Sequence, residues 1–383
     1  MASTGFPGFR QQREGGGLAR FVKALEAVPD GGTGQIWIRM PIKLGDMLMA
    51  LPSVFTVKET WERLAEDRGI KLRFTLTGKA PIDLFKESTP QIFAACMVDG
   101  QTPFRNSPFG IRKFWGKDRP LAVINFSKSD RIKVAAWIAG VPVRAGIADG
   151  SFNWCYHFSE PYEKGILSHR VFRYLPITRW LAGPNVSLRF ETLAPNRYGG
   201  TSIMGLLEDL GWDGGPYVVF GAYPNQQNPE RHWFPRDQPW IHLAQLALRD
   251  GITPVLVGGP EHRRDLERLA AASGCLCLAG RTELPQLMAL LANAIGTIAV
   301  DTGIAHLAAA TGKPTVVIFG HGLEYWDLPC GPKVIALRGN PAGQSLYQDS
   351  PDARESAMSP WCTATRRVAP ERAWGVLNCL IQE

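Results

Sequence analysis

Thr297-Ile298-Ala299-Val300-Asp301-Thr302-Gly303-Ile304-Ala305-His306-Leu307-Ala308-Ala309-Ala310 decides the architecture. Its apolar opening predicts a strand over Thr297 to Val300, and its close, rich in helix formers, predicts a helix over Ile304 to Ala310. A strand that passes through a short polar turn into a helix is half of a βα unit. The helix start offers unpaired N–H groups and the positive end of its dipole, which favour an anion such as pyrophosphate. Thr302 adds a hydroxyl and Gly303 removes side-chain obstruction. Asp301 would repel phosphate, so it is expected to accept from sugar hydroxyls or nearby N–H groups. His306 either donates to the phosphate or packs as a structural histidine.

The same alternation extends in both directions. Strands are expected at Tyr217–Phe220, Thr253–Val257, Leu276–Leu278 and Thr315–Phe319, with helices at Trp240–Arg249, Arg263–Ala272 and Leu284–Asn293. In the first half, Ile36–Met40, Leu72–Leu76, Leu121–Phe126 and Val141–Ile147 read as strands, and Asp46–Leu64 and Arg131–Ala139 as helices. This is an α/β chain with parallel sheets. At 383 residues it is long enough for two cores. The Pro-, Gly- and Asn-rich stretch 182–200 marks the connection. The expected organisation is a flexible lead-in over 1–34, a first doubly wound domain over 35–190, a second over 191–360, and a terminal segment over 361–383.

No apolar run approaches the length that spans a bilayer, and no secretory leader is recognisable, so a cytoplasmic location is expected. The seven cysteines are odd in number and scattered, which suits reduced thiols. Cys330, Cys362 and Cys379 could join a metal site or be ordinary buried thiols. Charge is uneven: residues 1–190 hold 27 Lys+Arg against 16 Asp+Glu, and residues 191–383 hold 15 against 19. The first half therefore suits an anionic partner, unless it is simply a solvated basic surface.

Ligands of open parallel sheets bind at the carboxyl ends of the strands. After Met40 comes Pro41-Ile42-Lys43-Leu44-Gly45-Asp46. There Gly45 allows close backbone approach, and Asp46 is either a helix N-cap or a general base for an acceptor hydroxyl. Arg39, Lys43, Lys128 and Arg131 are the candidate cations for a phosphorylated acceptor. The loop after Phe220, Tyr223 to Trp233, either offers Gln226 and Arg231 to donor phosphates, with Arg231 as charge stabiliser, or is a polar surface loop closed by the packing of Trp233. After Val257, Gly258 and Gly259 could let a nucleotide pass and Glu261 could accept from ribose, although a plain tight turn reads nearly as well. A GxxxxGK[ST] loop, HExxH, GxSxG and an early GxGxxG are all missing, which argues against P-loop and metal chemistry.

Leu44-Gly45-Asp46, Arg231-His232-Trp233, Gly258-Gly259-Pro260, Ala279-Gly280-Arg281-Thr282 and Asp301-Thr302-Gly303 with His306 follow in an order that resembles the bacterial ADP-heptose:lipopolysaccharide heptosyltransferases of glycosyltransferase family nine. Asn125-Phe126-Ser127-Lys128-Ser129 to Arg144-Ala145-Gly146 adds to the match. The resemblance implies the GT-B fold, two Rossmann-like domains facing a cleft, with a C-terminal helix crossing back onto the first. It implies inverting, metal-independent transfer of a heptose or related sugar to a lipopolysaccharide core, without a cofactor. Asp46 then matches the base, Arg231 the cation at the donor phosphates, and Asp301, Thr302, Gly303 and His306 the donor turn. Arg231 stands where lysine is usual, and Gly320-His321-Gly322 replaces the usual Gly-Pro-Thr. The implied partners are a sugar-nucleotide donor and an anionic glycolipid at the inner face of the cytoplasmic membrane, with no nucleic acid. A protein acceptor and a non-catalytic nucleotide-sugar-binding assembly protein are the alternatives.

Overall fold

The computed structural model describes residues 16–82, 84–85, 93–98, 107–116, 118–161, 169–195, 197–224, 231–320, 324–338 and 365–382. The first sheet contains β1 Thr33–Arg39, β2 Lys71–Gly78, β3 Ala95–Val98, β4 Ala122–Asn125, β5 Val143–Ala148 and β6 Phe158–Pro161. The second contains β7 Tyr217–Gly221, β8 Thr253–Leu256, β9 Leu276–Cys277, β10 Gly296–Val300, β11 Thr315–Phe319 and β12 Val334–Arg338. Every strand pair is parallel. The orders are β3-β2-β1-β4-β5-β6 and β12-β11-β10-β7-β8-β9. Counted within its own half, each sheet has the doubly wound order 3-2-1-4-5-6, with its reversal between the first and fourth strands. Those reversals, β1 beside β4 and β7 beside β10, are where a ligand crevice opens.

The helices, in chain order, are α1 Gly16–Glu26, α2 Leu44–Glu66, α3 Pro108–Trp115, α4 Asp130–Ile138, α5 Leu175–Ala182, α6 Arg197–Glu208, α7 Gln238–Arg249, α8 Arg263–Ser273, α9 Leu284–Asn293, α10 Gly303–Ala310, α11 Glu324–Asp327 and α12 Pro370–Gln382. None is long and apolar enough to cross a membrane. Helix α2 is buried without a break from Met47 to Val57. It is covered on one side by its own sheet and on another by α10 of the second domain, so its sequence lacks a clean polar face. The connection after α5 is bonded to both halves: the Arg189 N–H donates to Thr56 Oγ1 (2.8 Å), and the Leu193 N–H donates to the Ala310 carbonyl (2.8 Å).

Two expectations about the ends change. Residues 16–34 are part of the first domain, not a lead-in. The fully buried Phe21 of α1 stacks on Trp61 with ring centroids 3.9 Å apart, and a Cβ at Gly17 would overlap the Trp180 indole. The C-terminal helix packs on the second domain, not the first. Leu377 and Leu380 join its core, and Trp374 Nε1 donates to Asp250 Oδ2 (2.7 Å). An amphipathic helix satisfies its apolar face on any exposed core edge, and the nearer one beside β10 and β11 takes it. The expected segment 361–383 is described only from residue 365 to residue 382.

Candidate active site between the two sheets

At the first reversal, β1 leads into α2 through a turn in which Lys43 occupies the N-cap position, extended at φ −89° and ψ 143°. Asp46 is therefore the third helical residue and not the cap. Its carboxylate is about one-quarter exposed and lies 3.7 Å from the Arg170 guanidinium. Gly45 lets the two domains touch: a Cβ there would come within 2.9 Å of His306 Cδ2. A glycine is required for that approach.

At the second reversal, Thr302 is the extended N-cap residue of α10. Its hydroxyl donates back to the Val300 carbonyl (3.2 Å), so it makes no side-chain cap on the helix. The first-turn N–H groups of α10 are thereby left for another acceptor. Asp301 is only 3% exposed. Arg231 Nη1 lies 3.0 Å from Asp301 Oδ2 and also donates to the Asp301 carbonyl at 3.0 Å. Burial pushes the Asp301 carboxyl up to about 6, opposed by Arg231 and reinforced by Asp327. Burial also pushes the His306 imidazole down to about 3, with Arg231, His169 and Arg170 adding to the effect. Buried and with its pKa lowered, His306 packs against Gly45 while also lining the cavity described below.

A third group joins the domains. Arg170, in the turn of helix over Arg170–Tyr174, places Nε 2.7 Å from Asp327 Oδ1 of α11. The neighbouring His169 Nε2 lies 2.7 Å from the Leu328 carbonyl. Burial raises the Asp327 carboxyl, against the pull of Arg170. Arg170 therefore stands between Asp46 of the first domain and Asp327 of the second.

Lys43, Asp46, Arg170, Arg231, Asp301, Thr302, Gly303, His306 and Asp327 line one cavity of about 350 Å³. A larger apolar cavity of about 510 Å³ lies behind it, sharing only Met49 and His306. Of the other candidates, Arg39 ends β1 without lining the cavity. Lys128 pairs with Asp149, and Arg131 is exposed on α4. Gly258 is pressed by Leu266, with 2.6 Å between Leu266 Cδ1 and a Cβ built there, and Glu261 folds back over Gly259. Gln226 lies outside the described residues. Among the described residues, no group of three or more His, Cys, Asp or Glu side chains could hold a metal ion. Sequence reasoning missed Arg170, His169 and Asp327, which sit in very short helical turns with no periodic pattern to flag them.

The sequence model of glycosyltransferase family 9 (heptosyltransferase) matches residues 130–351, more than half of the chain. The chain belongs to glycosyltransferase family 9. The matched segment of this family 9 chain contains Arg170, Arg231 and Asp301, whereas Asp46 precedes it. Lipopolysaccharide heptosyltransferase 2 of Salmonella typhimurium is 31% identical over 130 residues, which are 31% of this chain and 36% of that protein. The match thus spans about a third of the relative's length. In structure, the chain resembles E. coli ADP-heptose lps heptosyltransferase II (TM-score 0.70, 18% identity, 91% of this chain and 98% of that one). It also resembles the family 9 glycosyl transferase of Veillonella parvula (TM-score 0.74, 17% identity, 91% and 97%). These likenesses establish the GT-B arrangement of two Rossmann-like domains.

Proposed function

We propose that this family 9 chain transfers a heptose or a related sugar from a nucleoside-diphosphate donor, ADP-linked in our reading, to a lipopolysaccharide core acceptor. The observation that carries the reading is one cavity lined from opposite domains by Asp46 and by Arg231, Asp301 and Thr302. Asp46 takes the proton of the acceptor hydroxyl as its oxygen attacks the anomeric carbon. The bond from that carbon to the diphosphate oxygen breaks, and its electron pair leaves with the diphosphate. Attack from the Asp46 side, opposite the leaving group, inverts the anomeric configuration. Arg231 and the open N–H groups of α10 receive the departing charge, so the reaction needs no metal. Asp301 holds Arg231 at that post through its carboxylate and its carbonyl. The excess of Lys and Arg in residues 1–190 suits an anionic glycolipid acceptor and a place at the cytoplasmic face of a membrane.

The test is transfer from ADP-heptose to a heptose-deficient core acceptor in excess EDTA, with a thermal-shift series over ADP-, UDP- and GDP-sugars. The expected result is turnover unaffected by chelation and stabilisation by ADP-sugars above the others. Donor binding without turnover would mark a binding protein instead, and loss of turnover with EDTA would end the metal-free reading.

A further inference from the structure

Helices α3 and α4, with the connection from β5 to β6, cover one side of the first sheet. Their inner side is a small core in which Trp115, Ile132, Ala135 and Ala136 pack on Trp37 and Val123. Their outer side carries Phe109, Trp137, Phe152 and Trp154, four of the eight large aromatic side chains exposed among the described residues, while the partly exposed Phe114 turns its ring edge to Trp37. Phe109 and Trp154 are 68% and 62% exposed. So many large rings gathered on one surface mark a contact face, whereas singly scattered ones need no explanation.

Three of the rings are clustered and fixed. Trp137 and Trp154 meet edge to face at 4.9 Å, and Phe152 lies 6.3 Å from Trp154. Phe152 is the one non-glycine among the described residues with positive φ, 63°. A bulky L residue is disfavoured there and persists only when its surroundings impose it. Those surroundings are polar and lie underneath. Lys133, 1% exposed, donates to the Asp149 carbonyl and to Asn153 Oδ1 (both 3.0 Å) and pairs with Asp130 (2.6 Å). The Cys155 N–H donates to the Phe152 carbonyl at 3.0 Å. The loop is therefore tied from below while its rings face outward.

Cations lie among the rings. Arg112 and Lys113 of α3, Arg119 and Arg131 are exposed, against Asp118 and the Asp130 already held by Lys133. We infer that this face docks on an anionic lipid bilayer, with the rings at headgroup level and the cations against lipid phosphates. Tryptophan and phenylalanine prefer that depth, and each lysine or arginine near such a surface adds attraction. The match of a basic surface to an anionic leaflet selects lipid over a neutral protein partner. The docking deepens the lipid-linked acceptor reading and rests on it for its purpose. With this layer on lipid, the carboxyl edge of the sheet, which carries the Asp46 turn, opens sideways about one helix diameter, roughly 10 Å, above the headgroups.

The test is co-sedimentation of the full chain with vesicles of phosphatidylethanolamine and phosphatidylglycerol, against vesicles of phosphatidylcholine. Binding to the anionic vesicles is expected. Trp137→Ser/Trp154→Ser should lower the partition coefficient at least tenfold. Arg112→Gln/Lys113→Gln should cut it about fivefold and flatten its salt dependence. Both variants should keep the parent melting temperature and transfer to a water-soluble acceptor fragment. Parent-like binding by the tryptophan variant, or no binding by the parent chain, overturns the inference. So does a shift from oligomer to monomer in the tryptophan variant, which would give the face to a second copy. Vesicle binding by a chain that transfers no sugar upholds this inference while removing the catalytic reading.

Discussion

Asp46 and Asp301 occupy matching places, each in the turn from a strand at its sheet's reversal into the following helix, and they differ in depth and company. Asp46 sits inside the first turn of α2, about one-quarter exposed, with Arg170 3.7 Å away. Asp301 sits ahead of α10, 3% exposed, with Arg231 ion-paired to its carboxylate and hydrogen-bonded to its carbonyl. The same residue type on the same supersecondary unit is thus given two environments, which suit the two tasks proposed above. A carboxylate open to the cavity can exchange a proton with a ligand. A buried one spent on an arginine fixes that arginine instead.

The contrast can be broken by substitution. Asp46→Asn should lower kcat by about 10³-fold with donor affinity within a factor of two or three, as read by steady-state transfer and calorimetry. Arg231→Ala should lower kcat/KM by about 10²-fold, and Arg231→Lys should recover part of it. Asp301→Asn should raise the donor KM by about 3- to 10-fold with little change in kcat, because only the support of Arg231 is weakened. If Asp301→Asn matched Asp46→Asn in kcat, the division of labour would be wrong.

The remaining effects are in stability, and they have opposite signs. The His306 pKa falls from 6.5 to about 3 on folding, so its contribution is complete above pH 6.5 and is lost as pH falls. The Asp301 pKa rises from 3.8 to about 6, so its contribution is complete below pH 3.8 and is lost as pH rises to 6. Between about pH 4 and 6 the two nearly cancel, each worth about 1.4 kcal/mol per pH unit. Relative to the parent chain, His306→Gln should make unfolding free energy fall more steeply, or rise less, with pH in this window. Asp301→Asn should do the reverse. Urea denaturation at pH 4.5 and 5.5 reads both, and slopes moving in the same direction would refute the pairing.

The βα units of the second half were legible because their strands are short apolar runs, most of them followed at once or after one residue by glycine. The Asp301 turn was legible because such a run passes directly into Asp301-Thr302-Gly303 and then a helix. β3, β6 and β12 were not read, being short edge strands in which Ala95-Cys96-Met97-Val98 and Phe158-Ser159-Glu160-Pro161 carry little alternation. The meeting of Arg170 with Asp46 and Asp327 could not be read from spacing, because the three come from separate turns in two domains. Net charge named the first half as basic. It could not tell that Lys128 would pair with Asp149, or that Arg131 would not line the cavity.

The missing methyl group at Gly45 works as a spacer of zero thickness between the halves. With 2.9 Å between the His306 ring and the place a Cβ would take, alanine there would act as a shim, wedging α2 from α10. The span between Asp46 and the start of α10 is thereby set by a residue that contributes no side chain, and a single carbon atom suffices to detune it.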